Sequence, residues 1–284
     1  MSELTKRVLF AVVAIPIALA LIWLGRLPLA LLLGVAAGLG AWEFNRLSTA
    51  SGAPTLGGWT IGLAAALPLV VHLTATRAIA PSLWMVALLV PLLLTHALVR
   101  FGAMGSPVRS VGATLFGAWY TGGLLSFAYV LRHSRFTITD LAGTLLVALP
   151  LILTWMSDIG AYFIGRSLGR RKLMPSVSPG KTVAGAVGGL VTTVAVAALY
   201  VNFVLRPYAS LGMTLGSTIL FGAAMSVAAQ VGDLAESMLK RQAGVKDSSA
   251  LIPGHGGVLD RLDALLFTLP LAFALLESLL TVRG

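Results

Sequence analysis

The sequence predicts an all-α, polytopic integral membrane protein, and three observations carry that prediction. Of 284 residues, 57% are hydrophobic and 11% are charged, against roughly 25% charged in an average soluble domain. Mean hydropathy is +0.93. The apolar residues gather into nine stretches, each near the ~20 residues that cross a hydrocarbon core. Nine spans leave only short loops and helix ends to carry chemistry.

The first stretch, about 8–24, follows Lys6-Arg7 and ends at Gly25-Arg26. Its Ala18-Leu19-Ala20 resembles a signal-peptidase site, but more apolar sequence follows, so we read an uncleaved span. The second, about 28–46, ends at Ser51-Gly52-Ala53-Pro54; the third is about 58–74; the fourth, about 82–99, starts after Pro81. Gly105-Ser106-Pro107 precedes the fifth, about 112–132, and the sixth covers about 141–164. The seventh, about 183–204, begins after Lys181-Thr182 and stops at the breaker Arg206-Pro207. The eighth, about 213–239, meets Lys240-Arg241, and the ninth covers about 260–281. Pro68, Pro91, Pro150 and Pro270 fall inside spans, where neighbouring helices tolerate kinks.

Net charge is +10. Alternating spans place 14 Lys and Arg on the side of the N-terminus and six on the other. The positive-inside rule makes the first side cytoplasmic. Loops 165–182 and 240–259 share it, because two spans separate them. The chain has no cysteine, which excludes disulfides, thiol catalysis and thiolate metal sites.

Six of the ten acidic residues lie between 158 and 263. Residues 1–139 therefore read as transmembrane scaffold and lipid cavity, and 140–284 as the catalytic region. On a helix over 226–241, Ser226, Gln230, Asp233 and Ser237 share one face, and Lys240 and Arg241 flank it one turn on. Such a stripe in an apolar span needs a polar cleft or interhelical hydrogen bonds. Lys246-Asp247, a Ser-rich turn and the run from Ile252 to Gly257, containing His255, Gly256 and Gly257, lead into the last span. There Asp260 and Asp263 are i,i+3 neighbours. With Asp233 they form an oxygen-ligand set suited to Mg²⁺ beside phosphates; otherwise they cap the helix and pair with Arg261. Upstream, Asp158 precedes a Gly- and Arg-rich loop, and Ser178-Pro-Gly-Lys181-Thr182 opens a helix, a cradle for phosphate. It is not a P-loop, because Pro175 stands where the first glycine belongs. The cations at 170–172 are accounted for by topology, and Glu43 either lines a polar cavity or pairs with Arg46.

The run Ser237-x-x-Lys240-Arg241-x4-Lys246-Asp247-x5-Pro253-x-His255-Gly256-Gly257-x-x-Asp260-Arg261-x-Asp263 resembles, without a gap, the signature of the phosphatidate cytidylyltransferase (CDP-diacylglycerol synthase) family. Asp158-x-Gly160-Ala161-Tyr162-x-x-Gly165-Arg166, Ser178-Pro179-x-Lys181-Thr182 and Gln230-x-Gly232-Asp233 are similar to further family segments. One departure is Val183-Ala184-Gly185, where members often carry Trp-Glu-Gly. The resemblance implies conversion of CTP and phosphatidate to CDP-diacylglycerol and pyrophosphate in phospholipid biosynthesis. It implies Mg²⁺, with a second cation left open, a homodimer in the bacterial inner membrane, and no nucleic-acid partner. It makes Asp233 and Asp260 metal ligands and Asp263 a third ligand or orienter. We expect Lys240, Arg241 and Lys246 to hold phosphates, and Asp247 to bind metal or nucleotide or to pair with Lys246. His255 is expected to contact a phosphate or shape its glycine-rich turn. Asp158, Ser178, Lys181, Thr182, Gln230, Ser237, Gly256, Gly257 and Arg261 complete the candidate substrate site. The alternatives are a CTP-dependent enzyme acting on another lipid, and an ion-coupled transporter, which would explain carboxylates in broken helices.

Overall fold

The computed structural model describes residues 3–102, 106–252 and 256–282. Its elements, in chain order, are α1 (Glu3–Leu24), α2 (Arg26–Ala50), α3 (Gly58–Ala75), α4 (Leu83–Phe101), α5 (Pro107–Ala118), α6 (Phe127–Arg132) and α7 (Asp140–Leu168). The hairpin β1 (Lys172–Met174) and β2 (Ser178–Thr182) follows, then α8 (Val183–Tyr200), α9 (Arg206–Ala209), β3 (Leu211–Gly212), α10 (Leu215–Gln242), α11 (Leu259–Leu279) and β4 (Thr281–Val282). Eight of the helical segments among the described residues are long and apolar enough to cross a membrane, and α1 adds the apolar stretch Val12–Leu24. The chain is a polytopic α-helical membrane protein.

Two predicted boundaries change. Arg206-Pro207 does not end the seventh stretch. A π-helical turn, Val201–Leu205, carries the helix on into α9, where Pro207 takes a first-turn position that needs no N–H donor. The left-handed Ser210, φ 52°, ends it. The fifth stretch is interrupted by a second π turn, Trp119–Gly123, before α6. The four prolines expected inside spans lie inside α3, α4, α7 and α11.

Packing divides the chain into two compact units, Met1–Tyr129 with Leu239–Arg261, and Val130–Met238 with Leu262–Gly284. In the first, α2 runs along α3 at short range, since a Cβ on Gly34 would lie 2.8 Å from the Ala65 carbonyl oxygen. Phe44, Phe116 and Tyr120 form an aromatic cluster, with the last two rings stacked 5.6 Å apart. In the second unit, α7 lies along α8, and hydroxyls tie the helices together. Ser157 Oγ and Ser226 Oγ are 3.0 Å apart, and Thr154 Oγ1 donates to Thr268 Oγ1 at 3.0 Å. In an apolar solvent such bonds and small-residue contacts replace the hydrophobic effect as the source of helix association.

Candidate functional site

The second unit holds a cavity of about 750 Å³ among α7, the hairpin, α8 and α10. Asp158 from α7, Lys181 and Thr182 from the hairpin end, and Gln230 and Asp233 from α10 all line it. The structure therefore brings together five residues that the sequence singled out across 75 positions, since α8 folds the chain back between them. The Lys181 ammonium pairs with the Asp233 carboxylate, both side chains being about a quarter to a third exposed. Ser237 Oγ lies one turn on and donates weakly to Asp233 Oδ1 at 3.4 Å. Arg166 and Lys172 add two cations to the lining. The Arg166 guanidinium donates to Tyr162 Oη at 2.8 Å.

The hairpin explains why Lys172 belongs here. Lys172 is the register partner of Thr182, so the strand that delivers Lys181 also brings the basic run 170–172 back beside the start of α8. The sequence reading favoured topological charge for that run. Thr182 starts α8 as predicted and uses its hydroxyl as an N-cap, accepting from Gly185 N at 3.1 Å. Ser178 sits half-buried on β2 opposite Met174. The first turn of α8 has no acidic side chain, in keeping with Ala184.

The polar stripe on α10 divides into two tasks. Ser226 and Gln230 tie α10 to its neighbours, with Ser226 Oγ against Ser157 Oγ of α7 and Gln230 Nε2 donating to the Ala186 carbonyl of α8 at 3.1 Å and, within α10, to Ser226 Oγ at 3.0 Å. Asp233 turns to Lys181. Gly232, between them, admits the backbone of α11, because a Cβ there would stand 2.8 Å from the Asp263 carbonyl oxygen. Asp263 itself is half-buried, with Oδ1 accepting from Ala264 N at 2.7 Å.

The signature segment forms a second cluster, within the first unit. Asp260 Oδ1 accepts from Lys240 Nζ at 2.7 Å, and the two side chains are only 6% and 12% exposed. Asp260 Oδ2 accepts from Gly257 N at 2.8 Å and Ser248 N at 3.0 Å, and Ser248 Oγ, whose one proton also faces Glu43, lies 3.0 Å away. Arg241 donates to the Val245 carbonyl at 3.4 Å. Arg241, Lys246, Asp247 and Arg261 are exposed. Gly256 adopts φ 84°, a left-handed conformation that suits glycine. His255 lies outside the described residues.

Sequence reasoning did not find the partners of Glu43. Instead of lining a cavity or pairing with Arg46, its carboxylate accepts from Ser249 Oγ at 2.5 Å, Ser248 Oγ at 3.1 Å, Val258 N at 2.9 Å and Leu259 N at 2.6 Å. Arg46 lies over the Trp42 ring. A lone acidic residue in an apolar span was the available signal, and it pointed to function without naming a partner.

The donor set around Asp233 suits a hard cation. Asp158, Asp233, Gln230 and Ser237 offer only oxygen and amide groups, and among the described residues no three His, Asp or Glu side chains gather at metal-binding spacing. Two carboxylates on this wall would leave the rest of a hard cation's shell to waters and substrate phosphates.

The chain matches the model of the cytidylyltransferase family over residues 5–279. It is 46% identical over 140 residues to a phosphatidate cytidylyltransferase of Haemophilus influenzae, spanning 49% of this chain and 48% of that protein. A Bacillus subtilis protein of the same name is 39% identical over 166 residues, 58% of each chain. The chain thus spans about half the length of these two relatives. A third phosphatidate cytidylyltransferase, from Pseudomonas aeruginosa, is 38% identical over 283 residues, 96% of this chain and 97% of that protein.

Proposed function

The chain belongs to the cytidylyltransferase family, and from that premise we propose that it transfers the cytidylyl group of CTP to phosphatidate, releasing pyrophosphate and leaving CDP-diacylglycerol in the membrane. The observation that carries this reading is the cavity that gathers Asp158, Asp233 and the cations Lys181, Arg166 and Lys172. It supplies both charge types that a reaction between two anions requires.

In the reaction a phosphatidate oxygen forms a bond to the α-phosphorus of CTP. The bond from that phosphorus to the β-phosphate oxygen breaks, and its electron pair leaves with pyrophosphate. The attacking phosphate is already anionic, so no strong general base is needed. Positioning and charge stabilisation dominate such transfers. Lys181, Arg166 and Lys172 hold and neutralise phosphate oxygens, and the fixed positive charge stabilises the leaving pyrophosphate. Asp233 orients the Lys181 ammonium, and Gln230, tied to α8 and to Ser226, braces the wall beside it.

Asp233 and Asp158 are the carboxylates we assign to hold Mg²⁺. Asp260 and Asp263 keep a metal-ligand assignment on the signature resemblance alone. When bound, Mg²⁺ supplies charge neutralisation between neighbouring phosphates. The charge asymmetry of the loops supports an active site facing the cytoplasm of a bacterial inner membrane, and the resemblance supports a homodimer.

The test uses purified protein in detergent with CTP, phosphatidate and Mg²⁺. Pyrophosphate release is followed and the lipid product identified by mass. CDP-diacylglycerol that forms with Mg²⁺ and is lost in Asp233→Asn is the expected result. Turnover with a different lipid, and none with phosphatidate, would keep the CTP chemistry and replace the substrate.

A further inference from the structure

We infer that Glu43 is a positioning residue for the transfer reaction: from α2 it holds residues 248–249 and 256–259 of the signature segment in the arrangement that presents Asp260 and Lys240. The inference rests on the proposed reading that this segment serves catalysis.

Glu43 is fully buried, and its hydrogen-bond partners lie 205 to 216 positions away. Ser249 Oγ, Val258 N and Leu259 N donate to it, and the single Ser248 hydroxyl proton is shared between it and Asp260, so most of the about four acceptor sites of an ionised carboxylate are used. Two donors, Val258 N and Leu259 N, are main-chain groups at the start of α11, where a helix leaves its first N–H groups without internal partners. A negative charge there is also favoured by the helix dipole. Caps of this kind are ordinarily local Ser, Thr, Asp or Asn side chains. Here a carboxylate from a distant span does the work, and the local acidic residue, Asp260, is left to face Lys240 and the loop.

The link from Glu43 to Asp260 is direct. Ser248 Oγ lies 3.1 Å from Glu43 Oε2 and 3.0 Å from Asp260 Oδ2, so one hydroxyl is set between the two carboxylates. Gly257 passes close to Glu43 as well. A Cβ there would stand 2.5 Å from Glu43 Oε1, and the Gly257 N–H donates to Asp260 Oδ2. Ser248 therefore lies within hydrogen-bond reach of both carboxylates, and Gly257 donates to one and leaves no room for a side chain beside the other. Moving Glu43 moves Asp260, and Asp260 carries Lys240 with it.

The variant Glu43→Gln keeps the shape and turns an acceptor into a donor facing an N–H or O–H. With CTP and phosphatidate, kcat is expected to fall about 10- to 100-fold, the range seen when groups that orient reacting residues are changed. The KM for phosphatidate should change little. Hydrogen exchange of the 248–252 and 256–260 amides should rise in the substrate-free protein. Wild-type kcat in Glu43→Gln, or a raised KM with kcat intact, would overturn the inference. Asp260→Asn is measured in parallel: if it is fully active, the catalytic reading of the segment fails, and this is visible separately from any effect at Glu43. If Glu43→Gln does not fold, Ser249→Ala removes the 2.5 Å contact alone. A smaller kcat loss with the same rise in exchange then supports the assignment, and wild-type values of both reject it.

Discussion

Lys181 and Asp233 form the pair on which the cavity turns, and local sequence singles out each of them without pairing them. One ends a short strand and the other sits on a helix 52 residues further on, so their meeting depends on α8 folding back. If the proposed reaction takes place in this cavity, Lys181→Ala removes a fixed positive charge from its wall and is expected to lower kcat by about 100- to 1000-fold, as loss of one pre-set electrostatic partner does in other enzymes. Steady-state kinetics with CTP and phosphatidate measures it, and a loss below tenfold would remove Lys181 from the chemistry. Which residues carry charge into the C-terminal half was legible in the sequence, because ionisable groups in apolar spans stand out. The division of labour among them was not. Ser226 and Gln230 share a face with Asp233, but only the neighbouring α7 and α8 decide that they brace helices. Lys240 is taken up by Asp260 twenty residues later, a pairing that helical periodicity cannot express.

Helices were legible almost throughout, since hydropathy and length identify spans without knowledge of their neighbours. Short elements were not. The hairpin 172–182 contains too few residues to show a period, and its sequence reads as a cationic loop. The π turns at 119–123 and 201–205 leave no compositional mark. Where α10 meets α11, Gly232 decides how closely they approach. Gly232→Val would place side-chain atoms against the Asp263 carbonyl and Ala264, and is expected to cost about 1–3 kcal/mol of stability, the typical penalty of overpacking. A lower melting temperature in detergent is the readout, and an unchanged one would mean that the helices separate freely. At the hairpin end of the cavity, Thr182→Ala leaves Gly185 N without its cap and should destabilise by about 1 kcal/mol. The same melting assay reads the lost cap, and kcat with CTP and phosphatidate reads separately whether the Thr182 hydroxyl also serves the cavity that it lines.

Across the whole chain, the distribution of charge predicts that both the 165–182 and 240–259 loops face the cytoplasm. The absence of cysteine makes this directly measurable. Ser176→Cys and Ala250→Cys, both at exposed positions, should resist a membrane-impermeant thiol reagent applied to intact spheroplasts and react after lysis. Thr76→Cys, exposed in the loop after α3, should react without lysis. The reverse pattern would invert the topology. The family was legible because the signature is one contiguous run of polar residues. The dependence of that run on α2 was not legible, because Glu43 and Leu259 lie 216 residues apart. That separation also sets a schedule. Chains are made from the N-terminus at about 5–20 residues per second, so α2 is complete roughly 10 to 40 s before its hydrogen-bond donors exist. During this interval a carboxylate sits in an apolar span with none of its final partners. A chain truncated after Met238 should therefore be degraded faster than the same truncation carrying Glu43→Gln, as pulse-chase half-lives will show, and equal half-lives would mean that α2 tolerates the wait. The start of the last span completes the second, so the buried carboxylate of α2 acquires its final partners only once the chain has been made through Leu259.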